Sequence, residues 1–282
     1  MTPSGRESAT TKAEGPAGSA PRPSVAPGSR SPRLIEAYKH GWPRLAVAAM
    51  IMDKMRGGFH QVYAQGVERL RASIEAEPGG TILLANHSCW WDLFLVHFLN
   101  EAVPVDGYGM MEHFNMLRFG FFRRIGAFSV DRTDPTSVRA SLDYAAGLLR
   151  APRSAVWIFP QGKIEANDAR PLIFQPGIRA LVRKTGRVRV VPVAFRYEFW
   201  QDERPEALIR FGDPSWVDRP ALPGLIPTFE RRLTDELDAL KLDATSQDPA
   251  RFTSLLEGRR SISEKYAGFR ARFRGPTPGA PA

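Results

Sequence analysis

Cysteine is almost absent from this chain, and so is any long apolar run. The single cysteine among 282 residues, Cys89, cannot form an internal disulfide, and there is no cysteine pair to hold a structural zinc. The longest apolar candidate, residues 45–52, stops at Asp53 and falls short of the roughly 20 residues needed to cross a bilayer. The N-terminus lacks the apolar core of a secretory signal. These absences predict a cytoplasmic protein that can rest peripherally on a membrane without spanning it.

Positive charge is concentrated at the two ends of the chain. The net charge is +9, from 39 basic and 30 acidic residues, and residues 1–33 and 270–282 contribute +6 of it. Residues 34–269 have 31 basic and 28 acidic side chains, the balance of an ordinary soluble surface. They show no nucleic-acid-binding motif, so we expect no nucleic-acid partner. Basic ends are typical either of binding to an anionic membrane or of charge that only keeps a protein soluble.

Composition and hydrophobic periodicity divide the chain into four segments. Residues 1–33 have 21 Pro, Gly, Ser or Ala residues and no aromatic residue, which predicts a disordered basic arm. Residues 34–78 mix apolar and basic positions, which predicts short amphipathic helices that either contact a membrane or pack on the core. Residues 79–269 are predicted to form an α/β domain with C-terminal helices, and residues 270–282 a disordered basic tail.

Short apolar runs alternate with helical periods from Thr81 onward, as in strands joined by crossover helices. The predicted strands are residues 81–85, 103–110, 127–131, 155–159, 188–195 and 208–211. Apolar faces at helical spacing predict one helix over residues 138–149, opened by Asp134 and Pro135, and another over residues 229–240. The predicted fold class is α/β, a mixed, mostly parallel central sheet flanked by helices, with an N-terminal amphipathic helical segment.

His87 is the one histidine among five that ends an apolar strand-like run, in the string Asn-His-Ser-Cys-Trp-Trp-Asp at residues 86–92. The carboxyl end of a strand is where open α/β sheets usually place their sites. On one helix, His87 and Asp92 would lie about 140° apart, so they meet only if His87 lies in the turn before the helix. There the carboxylate would orient the imidazole and leave Nε2 free to take a proton from a hydroxyl. The spacing of His87 and Asp92, taken alone, is also typical of two polar residues that have only a structural role.

Residues 86–92 resemble the NHxxxxD block of the glycerolipid acyltransferase superfamily, which includes the 1-acylglycerol-3-phosphate O-acyltransferases. Three further blocks follow in the family's order. Gly-Ala-Phe-Ser-Val-Asp-Arg at 126–132 is similar to the second block, Phe-Pro-Gln-Gly-Lys at 159–163 to the third, FPEGT, and Val-Pro-Val-Ala-Phe at 191–195 to the fourth. Four blocks in order are far more specific than any one of them.

The resemblance implies a lipid O-acyltransferase that uses no metal and no cofactor and forms no acyl-enzyme. His87 would activate an acceptor hydroxyl for direct attack on the thioester of acyl-CoA or acyl carrier protein, and Asp92 would orient His87. The acceptor would be a lysophospholipid or another lipid alcohol, as in phospholipid biosynthesis. The second and third blocks would supply the substrate-binding residues Gly126, Phe128, Arg132, Gln161, Gly162 and Lys163.

The third block departs from the family pattern, because Gln161 replaces the usual glutamate and Lys163 the usual threonine. A glutamine donates as well as accepts hydrogen bonds, which suits a polyol or sugar, whereas a lysine suits an anionic group. Lysophosphatidate and another lipid alcohol, such as a glycosylated or amino-acid-linked lipid, both stay open as acceptors. Two other functions stay open: a non-catalytic lipid-binding protein at a membrane surface, and a lipid hydrolase that uses Ser88 or Cys89. The hydrolase is the weaker of the two, since the chain has no Gly-x-Ser-x-Gly elbow.

Overall fold

A computed structural model describes residues 34–103, 105–260, 262 and 266. The segments predicted to be disordered, 1–33 and 270–282, lie outside the described residues, as do residues 267–269 of the predicted α/β domain. The described strands are β1 (Gln61–Gln65), β2 (Thr81–Ala85), β3 (Asp106–Glu112), β4 (Ala127–Val130), β5 (Ser154–Ile158), β6 (Arg187–Glu198), β7 (Glu206–Phe211), β8 (Ser215–Asp218) and β9 (Thr253–Glu257). The α-helices are α1 (Trp42–Gly58), α2 (Val67–Ala76), α3 (Asp92–Ala102), α4 (His113–Arg118), α5 (Pro135–Leu148), α6 (Gly177–Thr185) and α7 (Leu225–Thr245). Three 3₁₀ helices span Gly120–Ile125, Arg219–Gly224 and Pro249–Arg251.

The strands form one sheet in the order β4-β3-β5-β2-β6-β7-β1-β9, and β8 pairs with the first residues of β6. Neighbouring strands from β4 to β6 are parallel, β7 is antiparallel to β6, and β1 is parallel to β7. At the centre, all five residues of β2 are buried, as a parallel strand with helices on both faces requires. The predicted mixed, mostly parallel sheet is therefore confirmed.

Helices cover both faces of the sheet and enclose two apolar cores. Because successive strand residues point to opposite faces, Leu83 and Ala85 of β2 belong to one core and Ile82 and Leu84 to the other. The first core also contains residues of α1, α2 and α3, and the second contains residues of α5, α6 and α7. This three-layer arrangement leaves the carboxyl ends of the parallel strands free to carry side chains at one edge of the sheet.

The two predicted helices and six predicted strands are present. Their ends differ from the prediction by three residues or fewer, except that α7 begins four residues earlier and ends five residues later than predicted. Asp134 caps α5 as predicted, since its side chain accepts a 2.9 Å hydrogen bond from the Thr136 N–H.

Three strands, β1, β8 and β9, were not predicted. The prediction that residues 34–78 are helical is wrong at β1, and the C-terminal part is not entirely helical because it contains β9. In β1 only Val62 and Ala64 are buried, and the strand pairs with β7 and β9, which lie more than 140 residues further along the chain. Such a short, partly polar segment gains its hydrogen-bond partners only in the folded sheet.

None of the helices in the described part of the chain has the length and apolar character to cross a membrane.

Candidate active site

The blocks noted in the sequence meet at the carboxyl edge of the parallel strands. His87 follows β2, Glu112 ends β3, Arg132 follows β4, and Lys163 follows β5. These strands are neighbours in the order β4-β3-β5-β2, so their ends lie side by side. The edge borders a cavity of about 340 Å³, lined by His87, Leu93, Met110, Met111, Glu112, Asn115, Val130, Arg132, Ile158, Phe159, Gly162, Lys163 and Ile164.

The structure brings His87 and Asp92 together at this cavity. α3 begins at Asp92, so His87 lies in the preceding turn, the arrangement that the sequence required for contact. His87 Nδ1 lies 2.6 Å from Asp92 Oδ2, and the imidazole ring stacks on Phe159 with ring centroids 4.5 Å apart. Because Nδ1 faces the carboxylate, Nε2 is on the other side of the ring. The pair therefore has the geometry of a base oriented by a carboxylate.

Asp92 is fully buried, and several donors hold its carboxylate in place. Oδ2 accepts hydrogen bonds from the backbone N–H groups of Ser88 at 2.8 Å and Cys89 at 3.1 Å, in addition to its contact with His87. Oδ1 accepts a 2.6 Å hydrogen bond from the hydroxyl of Tyr197, near the end of β6. Burial and the adjacent Asp92 charge raise the pKa of Tyr197 well above its usual value, so Tyr197 stays protonated and donates.

Asn86 fastens the end of β2 to β6. Its side chain accepts a 2.7 Å hydrogen bond from the Phe195 N–H and donates one of 3.0 Å to the Phe195 carbonyl. A bidentate amide contact of this kind fixes the chain just before His87. The first block thus has a positioning residue at each end, Asn86 toward the sheet and Asp92 at the start of α3.

Gln161 is buried beneath the cavity and does not line it. Its Oε1 accepts a 2.9 Å hydrogen bond from the His87 N–H, and its Nε2 donates one of 2.7 Å to Glu165 Oε2. The Glu165 N–H in turn donates to the His87 carbonyl at 2.9 Å. The amide is therefore used inside the protein to position the His87 turn. In this structure Gln161 does not reach the cavity as an acceptor-binding group.

Arg132 and Gly162 both line the cavity and are in direct contact. Arg132 Nε donates to Glu112 Oε2 at 2.7 Å, and the guanidinium also donates to the Gly162 carbonyl. Gly162 has φ +70°, and a Cβ there would lie 2.6 Å from the Arg132 guanidinium. The left-handed backbone conformation therefore favours glycine here, and a larger side chain would also displace the Arg132 guanidinium.

Lys163 also lines the cavity and pairs with a carboxylate. Its ammonium lies 2.8 Å from Glu165 Oε1, and its side chain is 70% exposed. The Lys163 hydrogen bond is the main cause of the lowered pKa of Glu165, so Glu165 is ionised at neutral pH.

Besides Gln161, two more residues predicted to bind substrate do not reach the main cavity. Phe128 is fully buried in the core on the α5 side of the sheet, where its ring contacts Tyr144 at a centroid distance of 5.1 Å. Gly126 lines a second cavity of about 30 Å³, which shares Leu93 and Met111 with the first. The structure thus brings together His87, Asp92, Arg132, Gly162 and Lys163, with Gln161 behind them.

Ser88 and Cys89 are not arranged as nucleophiles. Ser88 Oγ is buried and has no hydrogen-bond partner among the described residues, so it does not donate to the His87 imidazole. Burial, together with the Asp92 charge, raises the pKa of the Cys89 thiol from 9.0 to about 11. A protonated thiol is a poor nucleophile, so this geometry disfavours a hydrolase.

Sequence reasoning missed three residues of this site, Tyr197, Glu112 and Glu165. Tyr197 comes two positions after the fourth block, and nothing in its local sequence distinguishes it from a core tyrosine. A signal for Glu165 was present in the sequence, because Glu165 follows Gln161 by four positions and its carboxylate can accept a hydrogen bond from the Gln161 amide.

The family model described as Acyltransferase matches residues 61–196, from β1 to β6. Among curated proteins, none matches the chain. The matched segment contains all four sequence blocks, the oriented His87 and the cavity beside it. Residues 61–196 of this chain therefore form an acyltransferase domain of the glycerolipid acyltransferase superfamily, which supports acyltransferase activity.

Proposed function

We propose that this protein transfers a fatty acyl group from a thioester donor, acyl-CoA or acyl carrier protein, to a hydroxyl of a lysophospholipid or a related lipid alcohol. The observation that carries this proposal is the 2.6 Å contact between His87 Nδ1 and the buried Asp92 carboxylate, beside a cavity of about 340 Å³. The pair supplies a base whose free nitrogen is available to a hydroxyl in that cavity.

In the proposed reaction His87 Nε2 takes the proton of the acceptor hydroxyl as its oxygen attacks the thioester carbonyl. A carbon–oxygen bond forms, the carbon–sulfur bond breaks, and the leaving thiolate takes the proton back from the imidazolium. Asp92 stabilises the imidazolium between these two transfers. A positioned base of this type typically accelerates the reaction about 10²- to 10⁴-fold. Arg132, Gly162 and Lys163 border the acceptor's polar head group.

We also propose that the protein works at the cytoplasmic surface of a membrane, where its lipid substrates reside. Large apolar side chains are exposed close to the cavity: Phe114 and Leu117 flank the cavity residue Asn115 on α4, and Ile164 lines the cavity itself. Their exposed fractions are 59%, 66% and 55%. Apolar residues with nearby basic groups such as Arg118 are typical of binding to an anionic membrane interface.

Sedimentation with lipid vesicles tests the membrane proposal. We expect Leu117→Glu to weaken binding to vesicles that contain anionic lipid, whereas Leu242→Glu, at a 75% exposed leucine of α7, should bind as the wild type does. Equal binding of both variants would contradict the membrane face assigned here.

Thiol release from acyl-CoA, with and without a lysolipid acceptor, tests the catalytic proposal. We expect His87→Ala and Asp92→Asn to lower the acceptor-dependent rate by about 10²- to 10⁴-fold. His40→Ala, at an exposed histidine, is the matched control and should retain activity.

Ser88→Ala and Cys89→Ala should retain activity as well, and loss of all thioester cleavage in either variant would favour a hydrolase. If neither acyl-CoA nor acyl carrier protein donors are consumed with any acceptor, a non-catalytic lipid-binding protein is the better explanation.

A further inference from the structure

The cations that line the main cavity are already paired with carboxylates. Among the described lining residues these cations are Arg132, 2.7 Å from Glu112 at Nε, and Lys163, 2.8 Å from Glu165. The four charges sum to zero. A phosphate monoester carries about −1.5 to −2 charges at neutral pH, so it would meet two carboxylates together with the two cations. Binding it would require at least one of these ion pairs to open.

Backbone groups that could bind a phosphate are also engaged. The start of a helix normally attracts anions, but at the start of α3 the Asp92 carboxylate occupies this position and accepts from the N–H groups of Ser88 and Cys89. The N–H of His87 donates to Gln161, and that of Gly162 donates to the Phe159 carbonyl at 3.0 Å. These four N–H groups are therefore not free to bind an anion.

The cavity instead offers acceptors for hydroxyl groups. The Glu112 side chain lines the cavity and is 33% exposed, and the exposed residue Asn115 lines the same cavity. Glu165 is not among the lining residues, and its two carboxylate oxygens pair with Lys163 and Gln161. Ionised carboxylates accept hydrogen bonds and repel a phosphate, whereas the hydroxyls of a sugar or of glycerol can donate to them. We propose that the acceptor lipid has an uncharged polyol head group, held by Glu112, in place of a phosphate monoester. This inference rests on the proposed acyl transfer.

Competition between acceptors of equal chain length tests this assignment. The probes are a monoacylglycerol, an alkyl glucoside and the matching 1-acylglycerol-3-phosphate, each supplied with the same acyl-CoA or acyl carrier protein donor and analysed by product mass. We expect kcat/KM for at least one of the two polyol acceptors to exceed that for the phosphate acceptor about tenfold or more. The two polyol probes distinguish a sugar head group from glycerol.

Variants of the two carboxylates make the test specific to this mechanism. Glu112→Gln and Glu165→Gln release Arg132 and Lys163 from their ion pairs, so each should raise kcat/KM for the phosphate acceptor about fivefold. Glu112→Gln, which removes the carboxylate in the cavity, should also lower kcat/KM for the polyol. Glu68→Gln is the control, because Glu68 pairs with Arg71 within α2, outside the site.

The possible outcomes separate the two proposals. A wild-type preference for 1-acylglycerol-3-phosphate, or a polyol-to-phosphate ratio that neither glutamine variant changes, would overturn the assignment of a polyol head group while acyl transfer stands. Acylation of none of the three acceptors with either donor would instead overturn the proposed function.

Discussion

The Tyr197 hydroxyl donates a 2.6 Å hydrogen bond to Asp92 Oδ1, although 105 residues separate the two in the chain. This contact joins the end of β6 to the start of α3 and completes the shell of donors around the buried carboxylate. His87 depends on Asp92 for its orientation, so Tyr197 acts on the base through Asp92. It is a positioning residue.

Tyr197→Phe is expected to lower kcat about tenfold and to leave KM for both substrates unchanged. One hydrogen bond to a charged group contributes about 1.5–3 kcal/mol, and its loss lets the Asp92 carboxylate move relative to His87. Steady-state kinetics of acyl transfer measure the effect. Tyr63→Phe is the matched control, since Tyr63 stacks on Trp200. A parallel rise in KM, or an equal loss in Tyr63→Phe, would show a general effect on the fold.

Gln161→Glu is expected to impair both folding and catalysis, although glutamate is the usual residue of the family's third block. The new carboxylate would lie against Glu165 Oε2, which now accepts from Gln161 Nε2 at 2.7 Å. Two carboxylates in contact repel, so we expect the free energy of unfolding to fall by about 1–2 kcal/mol.

The double variant Gln161→Glu with Glu165→Gln restores one amide and one carboxylate at this contact. It should therefore recover most of the activity and stability, with a coupling of about 1 kcal/mol or more in the double-mutant cycle. Additive effects of the two substitutions would refute the direct pairing of Gln161 with Glu165.

Cys89 is expected to react slowly with iodoacetamide at pH 8. Its pKa is raised from 9.0 to about 11, so its thiolate forms only as the pH rises through that value. At pH 8 this lowers the reactive fraction about 100-fold relative to an unperturbed thiol. The rate should rise steadily with pH until about pH 11. Because Cys89 is the single cysteine, mass spectrometry of the intact protein follows the reaction directly. Rapid labelling at pH 7 would contradict the buried, protonated thiol described here.

Arg189→Lys is expected to destabilise the fold by about 2–3 kcal/mol. Arg189 is fully buried, and its guanidinium donates to the Ser73 hydroxyl at 3.0 Å, the Ser73 carbonyl at 2.8 Å and the Thr81 hydroxyl at 3.0 Å. It also donates to the Glu77 carbonyl, so it satisfies carbonyls at the end of α2. A lysine cannot reproduce this fork of donors.

The midpoint of urea unfolding measures the change. Arg187→Lys on the same strand is the control, because the Arg187 side chain is 56% exposed and pairs with Glu77 at the surface. It should shift stability by less than about 0.5 kcal/mol. Equal shifts of the unfolding midpoint in the two variants would show that the buried Arg189 guanidinium contributes no specific stabilisation.

Local sequence was sufficient for much of the fold and for the centre of the site. The β2 run, the Asp134 cap of α5 and the apolar face of α7 predict their elements because each carries its signal within a few residues. The pairing of His87 with Asp92 was also accessible, since both residues belong to one turn whose geometry follows from where α3 begins.

Only the tertiary structure decided which distant segments contact one another and the His87 turn. β1 and β9 exist as strands because each supplies the other's hydrogen-bond partners across the chain. From the sequence alone, Gln161 was suited to bind a sugar acceptor. In the structure its amide instead accepts from the His87 N–H and donates to the Glu165 carboxylate. Hydrogen bonds and ion pairs between segments that are distant in the chain depend on how the sheet packs, so no local sequence pattern predicts them. For this protein, sequence determined which group is placed to act as the base, and the fold decided which charges surround it.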